Sequence, residues 1–202
     1  TGIAGCYALD EYDRGTIKKD ERTRRDKEDD RTRHMVALRA QTGPVFLIQR
    51  AVPAITDIAG RAAATAPLFD FVAADGVRQA IWRVPAQDEA ALVTAIGSVP
   101  SLYIADGHHR AASAARARQH VRTQQRDAPG EWDTFLAVAF PEDQVQILPY
   151  NRVVKDLGRH TPASLLAALR AAFSVDDGPP APAKPGDVSM FLDGRWHTIP
   201  LG

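Results

Sequence analysis

The stretch "LYIADGHHRAASAARARQ", residues 102–119, decides how the rest of the chain is read. A short apolar run, 102–105, stops at Asp106, Gly107, His108, His109 and Arg110, and an alanine-rich segment follows. An apolar run bounded by glycine predicts a buried strand, and the alanines predict a helix from about Gly107 to Arg126. A helix start presents unpaired backbone amides that carry about half a unit of positive charge. Gly107 lets a bound group come close, Asp106 is expected to cap the helix, and Arg110 adds a planar fork of donors suited to phosphate or carboxylate. The turn is therefore expected to hold an anion. His108 and His109 lie about 100° apart on the helix, so one is expected to meet the ligand and the other the scaffold. Asp106 is also the leading candidate metal ligand, for magnesium carried by a nucleotide, with one of the histidines or Glu21 as further candidate ligands. No structural metal is expected, because zinc wants three or four protein ligands and no cysteine pair or His-x3-His accompanies the turn.

Working outward, "GTIKKDERTRRDKEDDRTRH", residues 15–34, is the densest charge run. Thr23 with Asp26 predicts a capping box opening a helix over about 24–40, with Met35 and Leu38 as its narrow apolar stripe. On that helix Lys27, Arg31 and His34 share one face, and Asp30 lies four residues before His34. They form a candidate basic stripe, with Glu21 and His34 as candidate general bases; the competing reading is a solvated face laced with weak ion pairs. "QTGPVFLI", 41–48, stops the helix, with Gly43 as the expected left-handed cap, and begins another strand. "IAGCYAL", 3–9, predicts a strand already under way, which suggests that an N-terminal region precedes it.

Hairpins are predicted at "FDFVAADGVRQAIWRV" (69–84) and "VSMFLDGRWHTIPL" (188–201), each turning at Asp-Gly, and at "TFLAVAFPEDQVQILPYNRVV" (134–154), turning at 141–144. Helices are predicted at about 55–64, from Asp88 to Ile96, and over 161–173 with Thr161 as cap and Pro162 at the first position. The expected class is α+β, a mixed sheet with antiparallel hairpins and packed helices. The expected domains are 1–174, a Pro-rich linker 175–187 and a C-terminal hairpin 188–202. Asn151 and Arg152, after an expected strand, are weighed both as site residues and as a surface turn.

The bulk composition narrows the partners. Lys plus Arg number 25 and Asp plus Glu number 25, so the whole-molecule field offers no case for nucleic acid or an anionic membrane. A single cysteine and the lack of a membrane-length apolar run or secretory opening suggest a cytoplasmic protein. No glycine loop of the nucleotide-binding kinds and no Gly-x-Ser-x-Gly elbow occurs.

Four segments, "GTIKKDERTRRDKEDDRTRHMVALRAQTGPVFL", "ADGVRQAIW", "LYIADGHHRAASAARA" and "ILPYNRVVKDL", occur in order and resemble the bacterial and archaeal family of domain of unknown function 1015. That resemblance runs from near Thr1 to about Leu157 and more loosely beyond; family members are longer at the N-terminus, and the family name carries no activity. The Asp-Gly-His-His-Arg turn is also similar to the phosphate-binding turn of the ParB and sulfiredoxin superfamily, whose members include kinases of free serine. That likeness implies phosphate-binding roles for Gly107 and Arg110 and a ParB/sulfiredoxin-like fold around the turn. The expectation is a protein that binds ATP, ADP or another phosphorylated small molecule, with magnesium, through Asp106, Gly107, His108, His109, Arg110, Lys27, Arg31, Asn151 and Arg152. The expected activity is phosphoryl transfer to a small hydroxylated metabolite such as serine, and the alternative is a non-catalytic sensor. No nucleic acid or membrane partner is expected, and the oligomeric state is left open.

Overall fold

The computed structural model describes residues 1–125, 129–148 and 150–201, which fall into two units, Thr1–Gln146 and Ile147–Gly202. In chain order the first unit carries β1 (Ile3–Ala8), α1 (Leu9–Arg14), β2 (Ile17–Lys18), α2 (Arg25–Leu38), β3 (Val45–Gln49), α3 (Pro53–Ala63), β4 (Phe69–Val72), β5 (Arg78–Ile81), α4 (Ala86–Gly97), β6 (Leu102–Asp106), α5 (His108–Gln125) and β7 (Thr134–Pro141). The second carries α6 (Pro162–Ala172), β8 (Asp176–Asp177), β9 (Asp187–Leu192) and β10 (Arg195–Pro200). The class is α+β.

Five strands form a mixed sheet in the order β1-β7-β3-β6-β2. β1 runs antiparallel to β7, β7 parallel to β3, β3 antiparallel to β6, and β6 parallel to β2. The parallel strands β3 and β7 therefore end at one edge, at Gln49 and Pro141, and the parallel strands β2 and β6 end at the opposite edge, at Lys18 and Asp106. Alternation explains the burial. Val45, Leu47 and Gln49 of β3 and Phe135, Ala137 and Ala139 of β7 point into the core, one residue in two. That face joins Leu9, Ile17, Ile55, Ile58, Leu102, Ile104, Ala111 and Ala114 in one apolar cluster. Alanines at 111, 114 and 115 let α5 lie close to the sheet. Tyr7 packs beside Phe135 at 6.3 Å between ring centroids, and burial pushes its hydroxyl up to about 12.

The Asp-Gly hairpins form as expected. β4 pairs β5 across Gly76 at φ 81°, and β9 pairs β10 across Asp193 at φ 49° and Gly194 at φ 79°. The expected pairing after β7 does not form. Residues 142–144 make a 3-10 turn, no strand follows among the described residues 145–148 and 150–161, and β7 instead finds both partners far off in sequence, β1 and β3. Pro149, Arg126 and Gly202, which fall within predicted elements, lie outside the described residues. In the second unit Thr161 Oγ1 accepts the Ser164 N–H at 3.2 Å with Pro162 behind it, and α6 follows. β10 lies between β8 and β9, with Ile199 and His197 buried.

Candidate functional site

Gly107 sets the geometry. Its φ of 101° lies in the region that side chains disfavour, and its carbonyl accepts the Ala111 N–H at 3.0 Å to open α5. Gly107 is thus the residue before the helix, and Asp106, expected there, is the last residue of β6. A Cβ at Gly107 would stand 2.9 Å from Arg110 Nη2 and 3.0 Å from its Nε, because the guanidinium lies against the turn. Arg110 Nη2 donates to Asp106 Oδ2 at 2.5 Å, whereas its buried Nε has no protein partner among the described residues. Arginine and aspartate four residues apart thus close the turn on themselves.

His108 and His109 divide their roles as the 100° offset requires. His108 is 6% exposed. Asp20 Oδ1 lies 2.7 Å from its Nε2, but off the ring's hydrogen-bonding direction, and Glu21 Oε2 lies 3.4 Å from Nδ1. Both carboxylates are exposed. They arrive there through two residue pairs, Ile17 beside Leu102 and Lys18 beside Tyr103, which align β2 with β6 and carry the chain after Lys18 to the same sheet edge. His109 turns the other way: its Nε2 accepts the backbone N–H of Arg24 at 3.1 Å, so that nitrogen carries no proton. This bond meets a donor just ahead of α2 that no N-cap side chain serves.

The expected Thr23–Asp26 capping box does not form. Thr23 Oγ1 donates to Glu28 instead, and Asp26 takes the Arg24 guanidinium at 2.7 Å, which holds its carboxyl below the usual aspartate range. Glu28 is the anchor of this corner. Its carboxylate also accepts from Arg116 at 3.2 Å, and its carbonyl accepts from the fully buried Ser113 hydroxyl at 3.3 Å. Burial, with Glu28 and Asp13 nearby, pushes the Tyr12 hydroxyl up. The expected left-handed cap at Gly43 is likewise displaced: Arg39, at φ 52°, ends α2.

Lys27, Arg31 and His34 do share a face of α2, as their spacing predicts, and with Asp26 and Asp30 they line an open surface groove. All three are exposed, and Asp30 pairs with Arg33 at 3.2 Å. Leu38, expected in the apolar stripe, is 58% exposed, while Met35 packs against the core. Asn151 and Arg152 belong to the second unit, in irregular chain, where the Arg152 guanidinium stacks 3.6 Å from the Tyr150 ring centroid. Among the described residues no group of three or more His, Cys, Asp or Glu side chains could hold a metal ion.

Three contributors escape the sequence reading. Asp20 stands beside His108, Arg24 meets His109, and Arg118, 5% exposed, reaches Asp10 at 2.9 Å and also Asp13. For Asp20 and Arg24 the only available signal is sequence proximity to Glu21; their position depends on a two-residue strand pairing that no local pattern announces.

Over residues 1–201 the sequence matches a family described as protein of unknown function (DUF1015), and the chain belongs to that family. Neither the curated proteins nor the solved structures contain a match to it.

Proposed function

We propose that this chain binds a phosphorylated small molecule, ATP or ADP with magnesium, at the Asp106–Arg110 turn and transfers a phosphoryl group to a small hydroxylated metabolite such as serine. One observation carries the reading: adjacent parallel strands β2 and β6 end together, which brings Asp20 and Glu21 beside the buried His108, next in sequence to the turn where Arg110 closes on Asp106. In open sheets with parallel strands, ligands commonly sit beyond the carboxyl ends of the strands, and here a long helix also begins, whose first amides have no acceptor within the helix. The likeness of strand-Gly-x-x-Arg-helix to the ParB and sulfiredoxin phosphate turn supports the same seat.

The electrostatics favour one form of the ligand. Asp20 and Glu21 stand beside His108 and Asp106 is paired with Arg110 at the turn, so a bare phosphate approaching the turn would meet negative charge. A magnesium complex would not, and Asp106, on leaving Arg110, would supply one of the carboxylates that magnesium usually takes. Arg110 would then turn its fork, including the unpartnered Nε, to phosphate oxygens. Glu21, beside His108, is the better placed of the two candidate bases; His34 sits in the α2 groove with Lys27 and Arg31, a second patch for anionic parts of a ligand. In the transfer the bond between the γ-phosphorus and its bridging oxygen breaks and a bond to the substrate oxygen forms. The hydroxyl proton passes to the Glu21 carboxylate, and ADP leaves.

A sensor without turnover is the second reading, favoured by the Asp106–Arg110 pair at 2.5 Å, since a ligand that takes Arg110 would release Asp106 and reset the turn. Calorimetric titration with ATP and ADP, with and without magnesium, tests the seat. Binding that needs magnesium and weakens about 10- to 100-fold in Arg110→Ala supports it, the loss of charged hydrogen bonds being about 1.5–3 kcal/mol. No binding under either condition overturns both readings. Glu21→Gln separates them: it should spare binding in both cases and abolish turnover if the chain is an enzyme.

A further inference from the structure

The opposite edge of the sheet carries a second, independent feature. β3 and β7 run parallel and end there at Gln49 and Pro141. Beyond them lies a pocket of about 140 Å³, walled by Ile3, Ile55, Ala59, Gly60 and Ala139. Gln49 forms part of this wall, on the same face of β3 as the core residues Val45 and Leu47. It is only 1% exposed, and its Oε1 is buried with no hydrogen-bond partner. A glutamine at a position where alternation calls for an apolar residue, with its carbonyl oxygen unmet, is costly to the fold unless something pairs with it. No ionisable side chain lines the pocket.

We infer that this pocket binds a small uncharged molecule with an amide edge, which pairs its N–H and C=O with the Gln49 carboxamide. The size fits: a cavity of about 150 Å³ holds a six-membered ring, so about six heavy atoms fill this one. The lining holds no ionisable side chain, and the Thr1 amino group at its rim is already bonded to Gln144, so an uncharged ligand suits the pocket and differs in class from that expected at the Asp106–Arg110 turn. Small residues on α3 make the space. At Gly60 an added Cβ would meet nothing within 4 Å, so a larger side chain can enter there without disturbing the backbone.

The test uses the 202-residue chain with 2-pyrrolidone, a six-heavy-atom cyclic amide, followed by saturation-transfer NMR, and cyclopentanone as the analogue that lacks the N–H. The expected result is saturable binding of 2-pyrrolidone, at least about tenfold tighter than cyclopentanone, from one additional hydrogen bond in a buried site. Gln49→Leu should erase that preference and melt at or above the parent temperature, because a buried unmet carbonyl oxygen is lost to an apolar group of similar size. Gly60→Leu, which fills the space and leaves Gln49 in place, should weaken 2-pyrrolidone by a similar factor. Three results overturn the inference: no saturable binding to the parent chain, equal binding of the two probes, or binding that Gly60→Leu leaves unchanged.

Discussion

Helices α2 and α5 are built from the same charged vocabulary and lie against each other, yet they treat it in opposite ways. α2 buries none of its residues, and its Lys27, Arg31 and His34 stripe lines an open groove. α5 buries Ala111, Ser113, Ala114 and Ala115 and draws Arg118 down to 5% exposure. The difference lies in what stands opposite each polar group. From α5, Arg116 reaches Glu28 and Asp29, Arg118 reaches Asp10 and Asp13, and Arg122 reaches Asp133. The pairs on the outer side of α2, Arg24–Asp26 and Arg33–Asp30, stay within the same short stretch of chain. A charge-rich helix is therefore a scaffold where its charges cross to another element and a solvated face where they do not.

The sharpest way to break that contrast is to remove one arginine from each helix. Arg118→Ala takes away a buried guanidinium whose stem also packs, and should cost about 2 kcal/mol. This is below the range for a fully buried pair, because Asp10 and Asp13 are half-exposed and can rehydrate. Arg31→Ala, on the open face, should stay within about 0.5 kcal/mol. Urea denaturation of both variants decides; equal losses would refute the distinction.

A second pair of variants sharpens the same comparison at the turn itself. Gly107→Ala should cost about 1–3 kcal/mol, because φ 101° is strained for any side chain and the new Cβ meets the Arg110 guanidinium. Gly43 also faces Arg110, but a Cβ there would lie at an ordinary 3.6 Å from Cδ, and its φ is not positive. Gly43→Ala should therefore be neutral within about 0.5 kcal/mol. If the two glycines cost the same, the turn is not held as the geometry requires.

These contrasts also explain what was legible in advance. The Asp75-Gly76 and Asp193-Gly194 turns and the Thr161–Pro162 helix start depend on a few adjacent residues, so their chemistry can be read from the sequence. The glycine-opened start of α5 is local in the same sense. The partners of β7 are not: "TFLAVAFP" reads equally well toward a following strand, and only burial in the sheet between β1 and β3 selects otherwise. The same holds for Thr23. Locally it should cap with Asp26, but Arg116, about ninety residues further on, fixes Glu28 where Thr23 can reach it. At the candidate site the turn was legible, while the arrival of Asp20 and Glu21 beside His108 was not, because it depends on β2, a strand of two residues. The four-residue step from Asp106 to Arg110 was visible, but not that the pair closes on itself.

The smallest effect is expected at the start of α2, and it discriminates well. Arg24 is bonded to Asp26 and holds that carboxyl below the usual range, with both groups exposed. A folded-state value below the unfolded one means that the pair supports the fold at pH values above the ordinary aspartate value. That support is lost as the pH falls below this value and through the depressed one. Because the pair is solvated, 1 M salt should return the Asp26 titration, followed by carboxyl NMR, toward the ordinary range, and Asp26→Asn should lower the denaturation midpoint only slightly near neutral pH. The same salt should leave the loss caused by Arg118→Ala largely intact, since a buried guanidinium is screened far less. A salt-resistant shift at Asp26 would mean that the outer face of α2 is covered in solution, and the division between scaffold and solvated helix would have to be drawn elsewhere.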